Sequence, residues 1–343
     1  MPTRSHFIPQ FLLKGFAFRQ EGEEFYVHVF RKDGAQFSPN IKRVAAQGNF
    51  YGDGDIETIL SVAETQFANL VRSLREGNST PESKPQIDRF VAHSLVRTQA
   101  FREGVHDIGV AVMRESFQEF LNPEYTPQLL AKLAEDALNE PPARDILAAT
   151  PPEARSMIEA VMREILLHPD MHAMLRRMIL PTLNIIDTAE SVRSSQRQVL
   201  ESSRNLEKRI HDLGSMSWRV ELYEAHSLIL GDIGPLIRGD ESADWGRVLH
   251  GMPQVVWFPL SDRSLLIGDV SGVTIRPDCE EVNAASFENS LEFFVASQRT
   301  EREDKYHKRV GSNVDRHTSD QLKEMKRTIR EYLTSPGGTL SID

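Results

Sequence analysis

From Asp55 onward apolar residues return every three or four positions, Ile56, Ile59, Leu60, Ala63, Phe67, Leu70, Val71 and Leu74, which is one face of an amphipathic helix. Asp53 or Asp55 is placed to cap it and Gly77-Asn78 to end it. After prolines at 81 and 85, the residues Ile87, Phe90, Val91, Leu95 and Phe101 keep the same period and predict a second helix from about Gln86 to Ile108. Ahead of both, Phe25-Tyr26-Val27-His28-Val29-Phe30-Arg31 alternates and is rich in aromatic and branched side chains, so it reads as a strand. Lys32-Asp33-Gly34 supplies a turn. The return stretch Gln36 to Val44 is weaker because Pro39 fits a sheet only at an edge or bulge, and a two-stranded ribbon is expected.

Residues 110–214 are almost wholly helical in pattern, cut by prolines at 123, 127, 141, 142, 151 and 152 and again at 169 and 181. A long polar helix should run from about Thr182 to Asp212 and close at Gly214. The pattern then changes to short apolar runs set between Gly, Pro and Asp: Trp218–Leu222, Ser227–Leu230, Val255–Pro259 and Ser264–Ile267 predict strands. A helix from about Ala284 to Arg302 and another from about Ser319 to Leu333 finish the chain. The fold class expected is α+β and helix-rich. Residues 1–109 carry the N-terminal motif, ribbon and helices, and 110–214 form an inserted helical bundle. Residues 215–334 hold a small sheet and the C-terminal helices, joined in one core with 1–109, and 335–343 form a frayed tail.

Composition narrows the function classes without choosing among them. An apolar fraction of 40% with 26% charged residues is that of a globular chain, neither disordered nor membrane-spanning. No apolar run approaches the roughly 18 residues a spanning helix needs, and the start lacks the apolar core of a signal peptide. One cysteine, Cys279, excludes an intrachain disulfide and a multi-cysteine metal site, so the cytoplasm is the simplest compartment. Its acidic neighbours Glu280 and Glu281 make Cys279 a poor nucleophile. A net charge of −10 argues against general adhesion to nucleic acid or anionic lipid. A local arginine-lined groove is compatible with it, since Arg72, Arg75, Arg89, Arg97 and Arg102 cluster in sequence, as do Arg299, Arg302 and Arg309.

The opening Ser5-His6-Phe7-Ile8-Pro9-Gln10-Phe11-Leu12-Leu13-Lys14-Gly15-Phe16 sets a histidine and a proline inside an apolar, aromatic run. Leaving those side chains in water would cost roughly 1.5–3 kcal/mol for each large one, so the segment is expected to pack, with Pro9 in a structural role. This run resembles the His-Tyr-(Ile/Val)-Pro-(Gln/Arg)-Phe-Tyr-Leu…Phe signature of the bacterial domain-of-unknown-function family 4238. Further segments are similar to that family: Val44-Ala45-Ala46 with Asn49-Phe50-Tyr51, Asp55-Ile56-Glu57…Glu64, and Arg97-Thr98 with Phe101-Arg102. So are Leu230-Gly231-Asp232-Ile233-Gly234-Pro235 and Phe258-Pro259-Leu260-Ser261. The resemblance covers about residues 5–105 and 218–300 and implies positions to test rather than a reaction.

Several residues have the chemistry for a site. His6 titrates near neutrality and suits a general base or a metal ligand, or else anchors the N-terminus from the core. Asp232, at the end of an apolar strand, suits catalysis or metal binding, or else an Asx-turn. Glu57 and Glu64, seven apart on one helix, share a face, and with Asp232 and His6 would make an oxygen and nitrogen shell for Mg²⁺ or Mn²⁺. Arg97 and Arg102 could hold phosphate, or pair with Glu57 or Glu64. Asn283 beside Ser286 reads as a helix N-cap. His168 and His172 lack the glutamate of a zinc-protease motif.

Two functions follow from these residues. The first is a metal-dependent nuclease or other phosphodiesterase of a defence or toxin type acting on nucleic acid. The second is a non-enzymatic binding or sensor module whose helical surface meets a protein partner, with Arg97 paired to Glu57 or Glu64, the motif residues fully engaged internally and no open pocket over them. Neither reading calls on a membrane, and the pattern sets no oligomeric state.

Overall fold

A computed structural model describes residues 4–48, 56–99, 148–168, 203–224, 228–239, 252–270 and 276–314, with isolated positions between them. The fold is α+β. It divides into two compact units, Met1–His106 with Val192–Thr318, and Asp107–Ser191 with Ser319–Asp343.

In the first unit the opening motif forms β1 (Arg4–His6) and the short helix α1 (Gln10–Leu13). Pro9 stands before α1, and its carbonyl accepts from the N–H groups of Leu12 and Leu13. Phe7, Ile8, Leu12, Leu13 and Phe16 are all buried, as their apolar cost in water predicts. Strands β2 (Arg19–Glu21) and β3 (Glu24–Tyr26) form an exposed hairpin. Strand β4 (His28–Arg31) turns at Lys32-Asp33-Gly34 into β5 (Gln36–Phe37), and β6 (Ala46–Gly48) pairs antiparallel with β1.

Helix α2 (Ile56–Arg75) ends at Gly77, whose φ of 82° is a left-handed turn that glycine takes at no steric cost. Helix α3 (Lys84–Arg97) stops well short of 108. Thr98 is extended, and its hydroxyl donates to the Leu95 carbonyl near the helix end. Phe67, Phe90 and Phe258 join α2, α3 and a sheet, with ring centroids 5.4 Å and 5.3 Å apart in successive pairs.

Two four-stranded antiparallel sheets complete the unit. One runs β7 (Ser217–Leu222), β11 (Ser264–Asp269), β10 (Pro253–Pro259), β9 (Leu236–Gly239). The other runs β5, β4, β12 (Phe293–Ala296), β8 (Leu230–Gly231). The predicted ribbon is therefore the edge of a larger sheet, because β12 lies against β4 with Val295 opposite Val29.

Strand β12 corrects the expected helix over 284–302. The chain there is helix α6 (Cys279–Glu288), strand β12, then helix α7 (Glu301–His307). Phe293-Phe294-Val295 has the side chains of a buried strand, and all of β12 is buried between two neighbours. Helix α7 begins with a capping box between Thr300 and Glu303.

Helix α5 (Ser203–Asp212) contacts α3. Of the second unit, the described part is chiefly helix α4 (Pro152–Leu167), on which Met157, Val161 and Ile165 are exposed. Among the described residues no helix is long and apolar enough to cross a membrane. Of the helix expected over 182–212, Ser203–Asp212 is α5 and 182–202 lie outside the described residues, as does the helix expected over 319–333 apart from residue 327.

Candidate functional site

Two buried polar groups hold the segments that the sequence singles out. Arg97, at the last turn of α3, is 4% exposed, and its Nη2 donates to the His6 carbonyl at 2.7 Å and to Glu64 Oε1 at 2.7 Å. One guanidinium thus ties β1 to α2 and α3. His6 and Glu64 are brought together around it. Burial pushes the His6 imidazole below its ordinary value, while hydrogen bonding to the backbone at Lys42 and the nearby Glu64 carboxylate pull it upward. Its Nε2 is buried without a hydrogen-bond partner.

Asp232 is fully buried just after β8. Its Oδ1 accepts from the Leu291 N–H at 2.7 Å, and its Oδ2 accepts from the N–H groups of Glu292 at 2.7 Å and Phe293 at 3.2 Å. Burial pushes the carboxyl up to about 7 against the pull of those three donors. This is not the local Asx-turn expected, since the donors lie 59 to 61 residues along the chain. A Cβ on the preceding residue, Gly231, would come within 2.7 Å of the Ser286 carbonyl, so glycine is needed for β8 to lie against α6. No hydrogen bond or ion pair joins His6 to Asp232. What links them is a wall: Phe7, next to His6, and Phe293, held by Asp232, have ring centroids 6.2 Å apart.

Those rings open onto a cavity of about 430 Å³ lined by Phe7, Val29, Arg31, Phe37, Arg43, Val44, Ala45, Ala46, Gln47, Gln99, Glu292 and Phe293. Each segment arrives by a separate route. Phe7 follows β1, whose carbonyl Arg97 holds. Glu292 and Phe293 belong to the turn that Asp232 shapes. Residues 44–47 carry one backbone feature of note, because Ala45 sits at φ 50°, the one positive φ on a non-glycine among the described residues. That conformation costs an L-residue roughly 1–2 kcal/mol, and its carbonyl accepts from the Phe7 N–H at 2.9 Å.

The polar groups of the cavity are bonded in part to one another. Glu292 accepts from Gln99 Nε2 at 3.2 Å and from Arg31 Nη2 at 3.5 Å, while Arg31 also bonds Asp33 at 3.0 Å. Arg43 is exposed and makes no ion pair among the described residues. The arrangement can bind an anion and contact a flat apolar group.

A family model described as "Protein of unknown function (DUF4238)" matches residues 4–331. The chain belongs to this family. The match runs through the helical middle of the DUF4238 chain, which the motifs alone had left outside the resemblance. No curated protein and no solved structure matches.

Several of the other described DUF4238 motif residues make contacts within the fold. In Phe258-Pro259-Leu260-Ser261, Ser261 Oγ accepts from the N–H groups of Arg263 and Ser264 and closes the β10–β11 hairpin. The Leu260 carbonyl accepts from Arg75 Nε at 2.8 Å, and the same guanidinium donates to the carbonyls of Phe11 and Leu12 at the end of α1. Asn283 is not an N-cap. It lies inside α6, and its Oδ1 accepts from the Ile229 N–H at 3.0 Å. His168 ends α4, and its Nδ1 accepts from the Asp170 N–H. Arg102 and the side chain of Glu57 lie outside the described residues. Among those described, no group of three or more His, Cys, Asp or Glu is placed to hold a metal ion.

Sequence reasoning missed His93. Its ring lies 5.3 Å from that of Phe67, and burial, then Arg97 and Arg89, push its pKa down to about 4. A histidine lowered on folding adds stability that is present above the unfolded value of 6.5 and is lost as pH falls from there through about 4. Melting at successive pH values should show wild type losing roughly 3 kcal/mol more than His93→Gln across that interval. Equal losses would mean that the ring protonates freely in the folded protein.

Proposed function

We propose that this DUF4238 protein is a non-enzymatic binding or sensor module, with its site not on the helical surface expected from the sequence but in the cavity that lies over the motif residues Phe7 and Val44-Ala45-Ala46 and is closed by the Glu292-Phe293 turn. The observation that carries this reading is the lining itself. It offers two guanidiniums, two amides, one carboxylate and aromatic faces, and among the lining residues no histidine, cysteine, serine or lysine that would act as base or nucleophile. Of the lining groups only the Glu292 carboxylate has the chemistry of a base or nucleophile, and it is engaged by Gln99 and Arg31. The hydrolytic reading needs Asp232 as a metal ligand and Arg97 on phosphate. Both oxygens of Asp232 are occupied by backbone donors, and Arg97 is taken up by Glu64 and the His6 carbonyl. The cytoplasm fits a chain with a single cysteine.

The test is incubation of the purified chain with mixed DNA and RNA and Mg²⁺ or Mn²⁺, beside Asp232→Asn, with melting of wild type in and out of Mn²⁺. No cleavage and an unmoved melting temperature are expected. A specific ion at a hundred times its dissociation constant would add about 2.7 kcal/mol. Metal-dependent cleavage that disappears in a folded Asp232→Asn protein would replace this reading with the nuclease.

A further inference from the structure

We propose that the cavity takes a nucleoside monophosphate, a ligand class that rests on the binding-module reading and makes it specific. Four features of the walls point there together. Arg43 is an exposed cation without an ion pair among the described residues, whereas the Arg31 guanidinium is shared between Asp33 and a long contact to Glu292. With Arg31 held between those two carboxylates, Arg43 is the lining cation, among the described residues, left to meet an anion such as a phosphate monoester.

Phe37 is 43% exposed on the cavity wall, an apolar face that a flat ring would cover. Gln47 is an exposed lining residue of the same cavity, and Gln99 reaches it with its amide on Glu292. Amide and carboxylate groups offer both donors and acceptors, as the edge of a base or the hydroxyls of a ribose require. The volume of about 430 Å³ lies within the range of small-ligand sites. Inorganic phosphate would leave Phe37 uncovered, and an aromatic carboxylate would leave the Gln47 amide unused. A mononucleotide engages all of these groups at once. The left-handed Ala45, held through its carbonyl by Phe7, fixes the loop that presents Arg43 and Gln47.

The experiment is calorimetric titration of the full chain with AMP, GMP, CMP and UMP. The parent nucleosides, inorganic phosphate and a 5′-phosphorylated oligonucleotide are run as separate arms. Arg43→Ala and Phe37→Ala are titrated in parallel, both at exposed positions where melting should stay unchanged. Saturable binding of at least one mononucleotide is expected, weakened about tenfold or more by Arg43→Ala and about fivefold or more by Phe37→Ala. The nucleosides and phosphate should each bind far more weakly. No saturable binding, binding indifferent to both substitutions, or tighter capture of the oligonucleotide overturns the proposal. If the titration fails and no nucleic acid is cleaved, the ligand class falls and the binding module stands; cleavage removes the binding module whatever the titration gives.

Discussion

Asp232→Ala is expected to lower the free energy of unfolding by about 3–5 kcal/mol, and the melting temperature by on the order of 10 °C. The Asp232 oxygens accept three backbone N–H groups in a fully buried turn. Removing the acceptors strands up to three donors, each worth roughly 1–3 kcal/mol when buried and unpaired, although relaxation lets one of them find water. Asp232→Asn should fall between the two, at about 1–3 kcal/mol, since its amide nitrogen must face at least one N–H. Strand β12 and the cavity wall at Glu292 and Phe293 depend on the same bonds. Hydrogen exchange at Leu291, Glu292 and Phe293 should therefore accelerate in both variants before the rest of the sheet responds. If Asp232 served as a metal ligand or catalytic acid instead, Asp232→Asn would abolish activity and leave stability within about 0.5 kcal/mol of wild type.

The sequence and the structure part company along a physical line. Periodic elements were legible: the apolar face of α2, its glycine stop and the strand signals of β7, β10 and β11 all follow from local pattern, and burial of the opening motif follows from its composition. Elements fixed by remote partners were not. The stretch after Asn289 reads as helix because nothing nearby says that Asp232 takes its N–H groups, and β12 then fills the gap between β4 and β8. Asn283 reads as a cap because Ile229, the donor it serves, is 54 residues away. The residues carrying the DUF4238 resemblance were found, while their roles were hidden for the same reason. Asp232, Arg97 and Asn283 act through backbone groups that a pattern of side chains does not display. The cavity was the least legible feature, because five separate stretches of chain build its walls and its sign of strain, the φ of Ala45, leaves no trace in the letters Val-Ala-Ala.

Arg97→Met should destabilise the protein by about 2–4 kcal/mol and loosen β1 before any other strand. The guanidinium is 5% exposed and Glu64 35%, so the pair is buried at one end only, and Glu64 can recover part of its hydration when the arginine is gone. That keeps the loss below the roughly 3–5 kcal/mol of a fully buried pair on its own account. The His6 carbonyl adds to it, since its donor also disappears. Methionine preserves most of the buried stem, so the measured change isolates the bonds rather than packing. Because Phe7 follows β1 into the cavity wall, the same variant should weaken mononucleotide binding severalfold without altering the Arg43 and Phe37 contributions. An arginine that met phosphate directly would behave in the opposite way, with ligand affinity lost and melting unchanged. Measuring melting and affinity on the one protein separates a residue that holds the wall from a residue that holds the ligand.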